Sequence, residues 1–287
     1  MFRELAALTR REFLKLARNP QAIFTSLMLP LLYLLLFGNG FSFNVAQFVN
    51  HALPPPEQQQ QLSFLLDQYF RGAPNYYSYF AAGMVGFVTV TATLFIGANV
   101  IFDKLFGVFK RTRGTPAPSA AVFGSRLIAG SAQPILLAFF VMGLALAFAH
   151  VSGLHGLSVT LPVGPVGALQ IVAAIVLLSV MFATVFLTFG VLIDVPQTYF
   201  AAVNLINLPV LLTSDALYPW GTMPAWLQNV SSYNPVSLAV NVLREVMFGS
   251  GAYPYGPGVY LLGLFAWAAV LVGIAILLVR RALRPLE

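Results

Sequence analysis

The chain of 287 residues contains no cysteine and very few charged side chains. Without cysteine it has no disulfide bridges and no thiolate metal ligands. Asp, Glu, Lys and Arg together make up only 8% of the sequence, whereas a soluble globular chain carries about 25%. Apolar residues make up 59%. This balance indicates an integral membrane protein before any motif is considered.

The sequence also lacks the pattern of a nucleotide-binding, metal or nucleic-acid site. Lys15, Lys104 and Lys110 are its only lysines, and none follows glycine, so no Gly-Lys step of a phosphate-binding loop occurs. His150 and His155 have no acidic or cysteine neighbour that would complete a metal site. Although the formal net charge is +6, the basic residues form short clusters between long uncharged stretches. That arrangement is typical of membrane topology rather than of nucleic-acid binding.

Long apolar stretches predict six transmembrane helices. Residues 127–193 contain no Asp, Glu, Lys or Arg, and two spans of about 20 residues fit there around a loop. A polar tract at 41–75, with a possible short helix at Leu62–Phe70, follows the first span, and Tyr76, Tyr77 and Tyr79 are expected at the membrane–water boundary of the second. The predicted spans are Pro20–Phe37, Tyr76–Phe102, two helices on either side of a loop at 150–165, Pro196–Leu212 and Gly258–Val279.

The distribution of Lys and Arg predicts the orientation of these spans. Thirteen of the fifteen basic residues fall in residues 1–18, 103–126 and 280–287. Only Arg71 and Arg244 fall on the other side. Because positive residues are retained on the cytoplasmic side, both termini are predicted to be cytoplasmic.

Residues 1–18 predict an amphipathic helix that lies in the membrane interface. Phe13 shares one face with other apolar residues at helical spacing, and Arg10, Arg11 and Lys15 lie on the other. A basic N-terminus that is simply held inside is the alternative interpretation.

The most informative segment runs from Thr213 to Glu245. The turn from Tyr218-Pro219 to Pro224 interrupts any helix, because proline lacks an amide donor and restricts the preceding residue. Trp226 is of a type that favours the membrane–water boundary, and Asn234-Pro235 predicts a cap and a new helix start. We therefore predict a re-entrant helical hairpin at 215–245 that lines or closes the outer exit. Arg244-Glu245 is either functional or a pair of charges at the headgroup level.

This order of motifs resembles the permease subunits of the type-2 ATP-binding-cassette exporter family. The matching residues are Ser214, Leu217-Tyr218-Pro219, Pro224-Ala225-Trp226-Leu227, Asn234-Pro235 and Arg244, and Asp215 stands where the family usually has glycine. The loop that follows the second span also matches, at Gly107 and Thr115-Pro116.

The resemblance implies that residues 103–119 form the coupling helix that docks on an ATPase. A basic loop retained by the positive-inside rule is the alternative. The coupling candidates are Asp103, Lys104, Gly107, Lys110, Arg111, Arg113, Thr115 and Pro116.

The resemblance further implies a single permease domain over residues 1–287, in a bacterial or archaeal cell membrane. Two copies of an ATPase subunit would bind ATP and Mg²⁺, and a second or sister permease would complete the path among membrane lipids. The chain itself is then not an enzyme, and it exports an amphipathic drug, a lipid or a lipid-linked glycan. Polar residues on the second and fifth spans are candidates for the pathway: Thr89, Thr93, Asn99, Asn204 and Asn207.

Two other classes of protein stay open at this point. An ion-coupled secondary transporter usually has an acid or a histidine near the middle of the membrane, and the predicted spans two to six have none at their centres. A membrane partner without transport activity would need no coupling loop.

Overall fold

The computed structural model of the protein describes residues 2–17, 20–38, 70, 72–107, 119–151, 156–249 and 254–282. Every regular element within these ranges is helical, as predicted. A π-helical turn, Leu34–Gly38, follows the second helix, and a 3₁₀ turn, Trp220–Thr222, precedes the seventh. The α-helices are α1 (Phe2–Ala17), α2 (Pro20–Tyr33), α3 (Tyr76–Leu105), α4 (Ser119–Phe148), α5 (Pro165–Leu192), α6 (Pro196–Leu212), α7 (Ala225–Tyr233), α8 (Pro235–Phe248) and α9 (Pro257–Ala282).

Proline and asparagine set where several of these helices begin. Helices α5, α6, α8 and α9 each start on a proline, whose missing amide hydrogen costs nothing in the first turn. Asn75 caps α3 by accepting a 2.8 Å hydrogen bond from the Ser78 amide. These local signals explain why most predicted boundaries lie within a few residues of those observed.

Four helices are long and apolar enough to cross a membrane: Tyr76–Leu105, Val122–Phe148, Pro165–Leu192 and Pro257–Val279. Two long apolar helices therefore lie where two spans were predicted within residues 127–193, and α4 ends at Phe148 and α5 starts at Pro165. Helix α6 has the predicted bounds, but its 17 residues make it shorter than these four.

The first predicted span is less regular than expected. Its α-helical part contains Pro30 and ends at Tyr33, and the π-helical turn continues to Gly38. Proline removes one hydrogen bond of the helical ladder and disturbs the preceding turn, and π-turns accompany such local irregularities. The possible helix at Leu62–Phe70 lies, except for Phe70, outside the described residues.

Helices α3 and α5 form the centre of the molecule. In their most apolar stretches 72% and 67% of the residues are buried, against 22% in α9. The two helices approach closely at Gly97 and Gly190, where an added Cβ on Gly190 would lie 2.5 Å from the Gly97 carbonyl oxygen. Only glycine permits this backbone contact. Helix α3 also packs on α4, α6 and α8, so it contacts elements from both halves of the chain.

Candidate functional site

A fully buried arginine connects three separate parts of the chain. Arg244, on α8, has no solvent exposure. Its Nη2 atom donates to the backbone carbonyl oxygens of Tyr79 and Asp215, at 3.0 Å each. Its Nη1 atom lies 3.3 Å from Asp215 Oδ2, and its guanidinium carbon lies 3.5 Å from the centre of the Tyr79 ring. The guanidinium thus holds α8, the first turn of α3 and the segment after α6 together.

The Tyr79 hydroxyl extends this contact to the segment that precedes α7. It accepts a 3.2 Å hydrogen bond from the Trp220 amide. The carbonyl oxygens of Asp215 and Tyr218 lie 3.1 and 3.2 Å away, and its single proton is donated to one of them at a time. We call Tyr79, Asp215, Trp220 and Arg244 the Arg244 cluster. Tyr79, which we expected at the membrane–water boundary, is fully buried within the protein instead.

A glycine lets the segment of the cluster lie directly on α3. An added Cβ on Gly83 would lie 1.8 Å from the Ala216 carbonyl oxygen, which is far inside van der Waals contact. Asp215 and Ala216 are themselves fully buried. The backbone at 213–219 is irregular and buried at 214–216, and its polar groups there need partners from α3 and α8.

Asn234 anchors the other end of this segment. Its side-chain oxygen accepts from the Val236 amide at 2.9 Å, and Pro235 occupies the first position of α8, as predicted. The Asn234 Nδ2 atom donates to the Val210 carbonyl at 2.7 Å and to the Thr213 hydroxyl at 3.0 Å. The cap therefore also fastens the start of α8 to the end of α6.

The other predicted exit residues belong to the same stretch of the chain. Pro219 and Pro224 immediately precede the 3₁₀ turn and α7, and Trp226 is 65% exposed. Arg244 and Glu245 do not act as a pair, because the ion-pair partner of Arg244 is Asp215. Full burial also excludes Arg244 as a solvated headgroup-level charge. The sequence interpretation missed the role of Asp215, although an acid inside an apolar region is a signal for a buried partner.

A second group of charges lies at the other end of α3. Asp103 accepts a 2.7 Å hydrogen bond from Arg126 of α4, and this pair is almost entirely buried. Lys104 donates to the carbonyl oxygens of Val191 and Ile193 and to the Asp194 carboxylate, at 2.6, 3.0 and 2.7 Å. The lysine thus neutralises the C-terminal end of α5.

We call Asp103, Lys104, Arg126 and Asp194 the Lys104 cluster. It joins the end of α3, the first turns of α4 and the end of α5. The sequence predicted Asp103 and Lys104 as part of a docking loop, but their observed contacts are within the helical bundle. Arg126 and Asp194 were not predicted, because nothing in the sequence relates them to these neighbours.

Gly107 ends a helix instead of lying within a coupling helix, and this corrects the expected arrangement. Its φ angle is +70°, and its amide donates to the Lys104 carbonyl at 3.1 Å. A left-handed glycine just beyond the last turn is a common helix terminator. The other coupling candidates, Lys110, Arg111, Arg113, Thr115 and Pro116, lie outside the described residues.

The N-terminal helix packs against α4. Arg10 and Phe13 are exposed, with Phe13 at 41%, and Arg11 lies 3.9 Å from Glu12. The Lys15 side chain lies outside the described part. Exposed apolar and basic side chains on one helix suit an interfacial position.

The predicted pathway residues do not form one surface within this chain. Thr89 and Thr93 are fully buried and donate to carbonyl oxygens of their own helix. Asn99 and Asn204 are exposed, whereas Asn207 is buried. Among the described residues, no three His, Asp or Glu side chains form a metal-binding group.

A chain whose described elements are all helical, several of them long and apolar, is an integral membrane protein. Comparison with known sequences defines its family. The model of the ABC-2 type transporter family matches residues 3–248, a range that ends with α8 and includes both clusters. The chain belongs to this family of transporter permeases, in which the membrane subunit is not itself catalytic.

Individual relatives carry corresponding names. The chain is 24% identical over 269 residues to a protein of Cyanophora paradoxa named as a transport permease, ycf38, covering 92% of this chain and 80% of the relative. The ycf38 protein of Porphyra purpurea is 26% identical and covers 86% of this chain and 74% of the relative. A daunorubicin resistance ABC transporter permease protein, DrrB1, of Streptomyces coeruleorubidus is 24% identical over 181 residues, which are 62% of this chain and 60% of the relative.

Proposed function

We propose that the protein is the permease subunit of an ATP-driven exporter that moves amphipathic molecules out of the cytoplasm or the inner leaflet. The observation that carries this proposal is the position of the two clusters on one helix. Tyr79 lies in the first turn of α3 and Asp103 in its last. At 1.5 Å per residue, about 36 Å of continuous helix separates them. A rigid rod of this length transmits displacement at one face of a membrane to the other.

In the proposed topology the termini are cytoplasmic and six helices cross the membrane, with α2 and α6 as the two shorter spans. Helices α7 and α8 form the re-entrant hairpin of residues 215–245, and the Arg244 cluster attaches it to α3. Because an irregular backbone inside a membrane requires protein or water around it, the hairpin lines the outer exit. Its attachment to α3 supports a role as a gate.

The Lys104 cluster then lies at the cytoplasmic face, next to the loop at 103–119 that docks on the ATPase. The proposed complex contains two ATPase subunits, which bind ATP and Mg²⁺, and a second permease, in a bacterial or archaeal cell membrane. Arg126 on α4 and Lys104 on α3 connect the two ends of this loop to the bundle. Movement of the loop is therefore passed to α3, α4 and α5 together.

The apolar surfaces of the helices and the name of the DrrB1 relative favour an amphipathic drug as the substrate class. Lipids and lipid-linked glycans are also proposed substrates, since they are amphipathic and also enter from the bilayer. Fluorescent amphipathic amines and labelled lipids are suitable first substrates for reconstituted vesicles.

The orientation is tested by labelling single cysteines in this naturally cysteine-free chain with a membrane-impermeant maleimide in intact cells. S152C is expected to react from outside, whereas T112C is expected to react only after permeabilisation. Labelling of T112C in intact cells would overturn both the orientation and the docking role of its loop.

The source of energy is tested in vesicles that contain the permease and its cognate ATPase. Export is expected to require ATP and to stop when the phosphate-loop lysine of the ATPase is replaced by alanine. Export that persists in this variant and stops when the proton gradient is dissipated would indicate a secondary transporter instead.

A further inference from the structure

A cavity of about 410 Å³ lies between the ends of three helices, apart from the Arg244 cluster. Its wall comprises the chain before α5, the first turns of α5, the last turns of α8 and the first residue of α9. Ligand-binding clefts in proteins typically measure about 300–1,000 Å³, so this volume suits a small organic molecule. The lining is mostly apolar, including Leu161, Pro162, Val163 and Val246, with Glu245 and Gln170 as polar groups.

Glu245 contributes the one carboxylate among the described residues that line this cavity. Its Oε2 atom is buried and has no hydrogen-bond partner among the described residues. Helix α8 is not one of the four long apolar helices, and burial raises the pKa of this carboxyl to about 7. A buried carboxylate with a raised pKa is stabilised when a cation or a hydrogen-bond donor binds beside it in the cavity.

Among the described residues that line the cavity, no basic group faces this carboxylate. The lining residues from the segment before α5, from α5 and from α9 contain no titratable side chain, and Gln170 is the only other side chain on the wall with hydrogen-bonding groups. Arg244, its neighbour in sequence, contacts Asp215 and Tyr79 instead. Within the described lining, the cavity therefore holds an acidic group and no counter-charge.

Hydrogen bonds hold the wall of the cavity in place. The amides of Thr160 and Leu161 donate to the Met247 carbonyl at 3.1 and 3.2 Å, and the Ser158 amide donates to the Ser78 hydroxyl at 3.0 Å. Gly249 ends α8 with a φ angle of +62° and lies against Leu161. Because these contacts fix the segment to α8 and α3, the cavity exists before any ligand binds.

We propose that this cavity binds an amphipathic amine. Its ammonium group pairs with the Glu245 carboxylate and its apolar part lies against Leu161, Val163 and Val246. A divalent metal ion is disfavoured, since calcium and magnesium require several oxygen ligands and the wall supplies one carboxylate. A proton as the only ligand is also disfavoured, since it would not occupy the apolar part of the cavity. The site belongs to the permease chain alone and does not depend on the transport activity proposed above.

The test compares tryptamine with tryptophol, which has the same ring and chain but a hydroxyl in place of the ammonium group. Binding to the full-length chain in lipid nanodiscs is measured calorimetrically, with empty nanodiscs subtracted. We expect tryptamine to bind at least tenfold more tightly than tryptophol. The affinity for tryptamine should increase up to about tenfold from pH 6 to pH 8, because the carboxylate ionises over this range while the amine stays protonated.

Two variants assign this binding to the cavity. E245Q removes the charge and should abolish both the preference for tryptamine and the pH dependence, whereas E12Q, on the N-terminal helix, should change neither. G164F retains the carboxylate and fills the cavity, since a Cβ on Gly164 meets no atom within 4 Å, and it should weaken binding of both compounds. Equal binding of the two compounds to the native chain, or unchanged tryptamine binding by E245Q or G164F, overturns the proposal. A pH dependence without amine binding would indicate a proton site only.

Discussion

The Arg244 cluster and the Lys104 cluster lie at opposite ends of α3, and they differ in how far water reaches them. Arg244 and Asp215 are both fully buried, and the guanidinium donates to two backbone carbonyl oxygens, lies over an aromatic ring and is 3.3 Å from the carboxylate. In the Lys104 cluster, the side chain of Asp194 is 82% exposed. The first cluster is therefore part of the protein interior, whereas the second includes a carboxylate that is exposed to solvent.

This difference matters because the same kind of ion pair has very different energetic consequences in the two settings. Removing one member of a buried pair leaves an uncompensated charge and costs about 3–5 kcal/mol. An exposed pair contributes about 0–1 kcal/mol, because water and salt screen it. We expect the Arg244 cluster to be essential for the fold around the hairpin. In the Lys104 cluster, the pair of Lys104 with the exposed Asp194 can exchange with water, as a connection to a moving partner requires.

The largest effect is expected for R244M. The substitution leaves the buried Asp215 carboxylate without its counter-charge and removes the donor to two carbonyl oxygens, so a loss of about 3–5 kcal/mol is expected. Thermal unfolding in detergent, followed by size-exclusion chromatography, measures the loss. The double variant D215N/R244M should lose less than the sum of the two single variants, since the residues are coupled. If R244M is as stable as the wild type, burial of the Arg244 cluster does not make it more important for stability than the Lys104 cluster.

An intermediate effect is expected for D103N. The Asp103–Arg126 pair has side-chain exposures of 12% and 7%, and the asparagine retains an acceptor for Arg126. The hydrogen bond to the guanidinium is kept without its charge, so a loss of about 1–3 kcal/mol is expected. Measured beside R244M, D103N should be the more stable protein. With the cognate ATPase present, it should also reduce export per ATP hydrolysed. The reverse order of stability would show that burial does not rank the two clusters.

The smallest effect is expected for D194N. Lys104 keeps its hydrogen bonds to the Val191 and Ile193 carbonyls when the exposed carboxylate is neutralised, so a change below about 1 kcal/mol is expected. K104M is the matched variant, because it removes all three contacts, and it should destabilise the protein more. Thermal unfolding at low and high salt checks both. If D194N destabilises the protein as much as K104M, the carboxylate rather than the helix end is the main partner of the lysine.

Local chemistry explains which parts of the structure were predictable. Pro165, Pro196 and Pro235 start helices, and Asn234 caps one, because proline geometry and side-chain capping act within a few residues of the chain. The first span was less predictable, since Pro30 leaves open how far a regular helix continues. Gly107 was assigned to a coupling helix, but its left-handed backbone ends α3. Sequence patterns do not separate a glycine inside a short helix from one that ends a long helix.

The sequence by itself determined that this is a helical membrane protein with a broken segment before its last apolar helix. Its scarcity of charge, its apolar runs and its prolines act over one to twenty residues and need no partner. Only the tertiary structure decided which residues meet across the chain: Arg244 with Asp215 and Tyr79, Gly97 with Gly190, and Lys104 with the end of α5. A buried charge is stable only where a distant segment supplies the complementary group. A close approach of two backbones is possible only where a distant segment places a glycine, which has no side chain, at the point of contact. The local sequence around one partner does not indicate which distant segment contains the other.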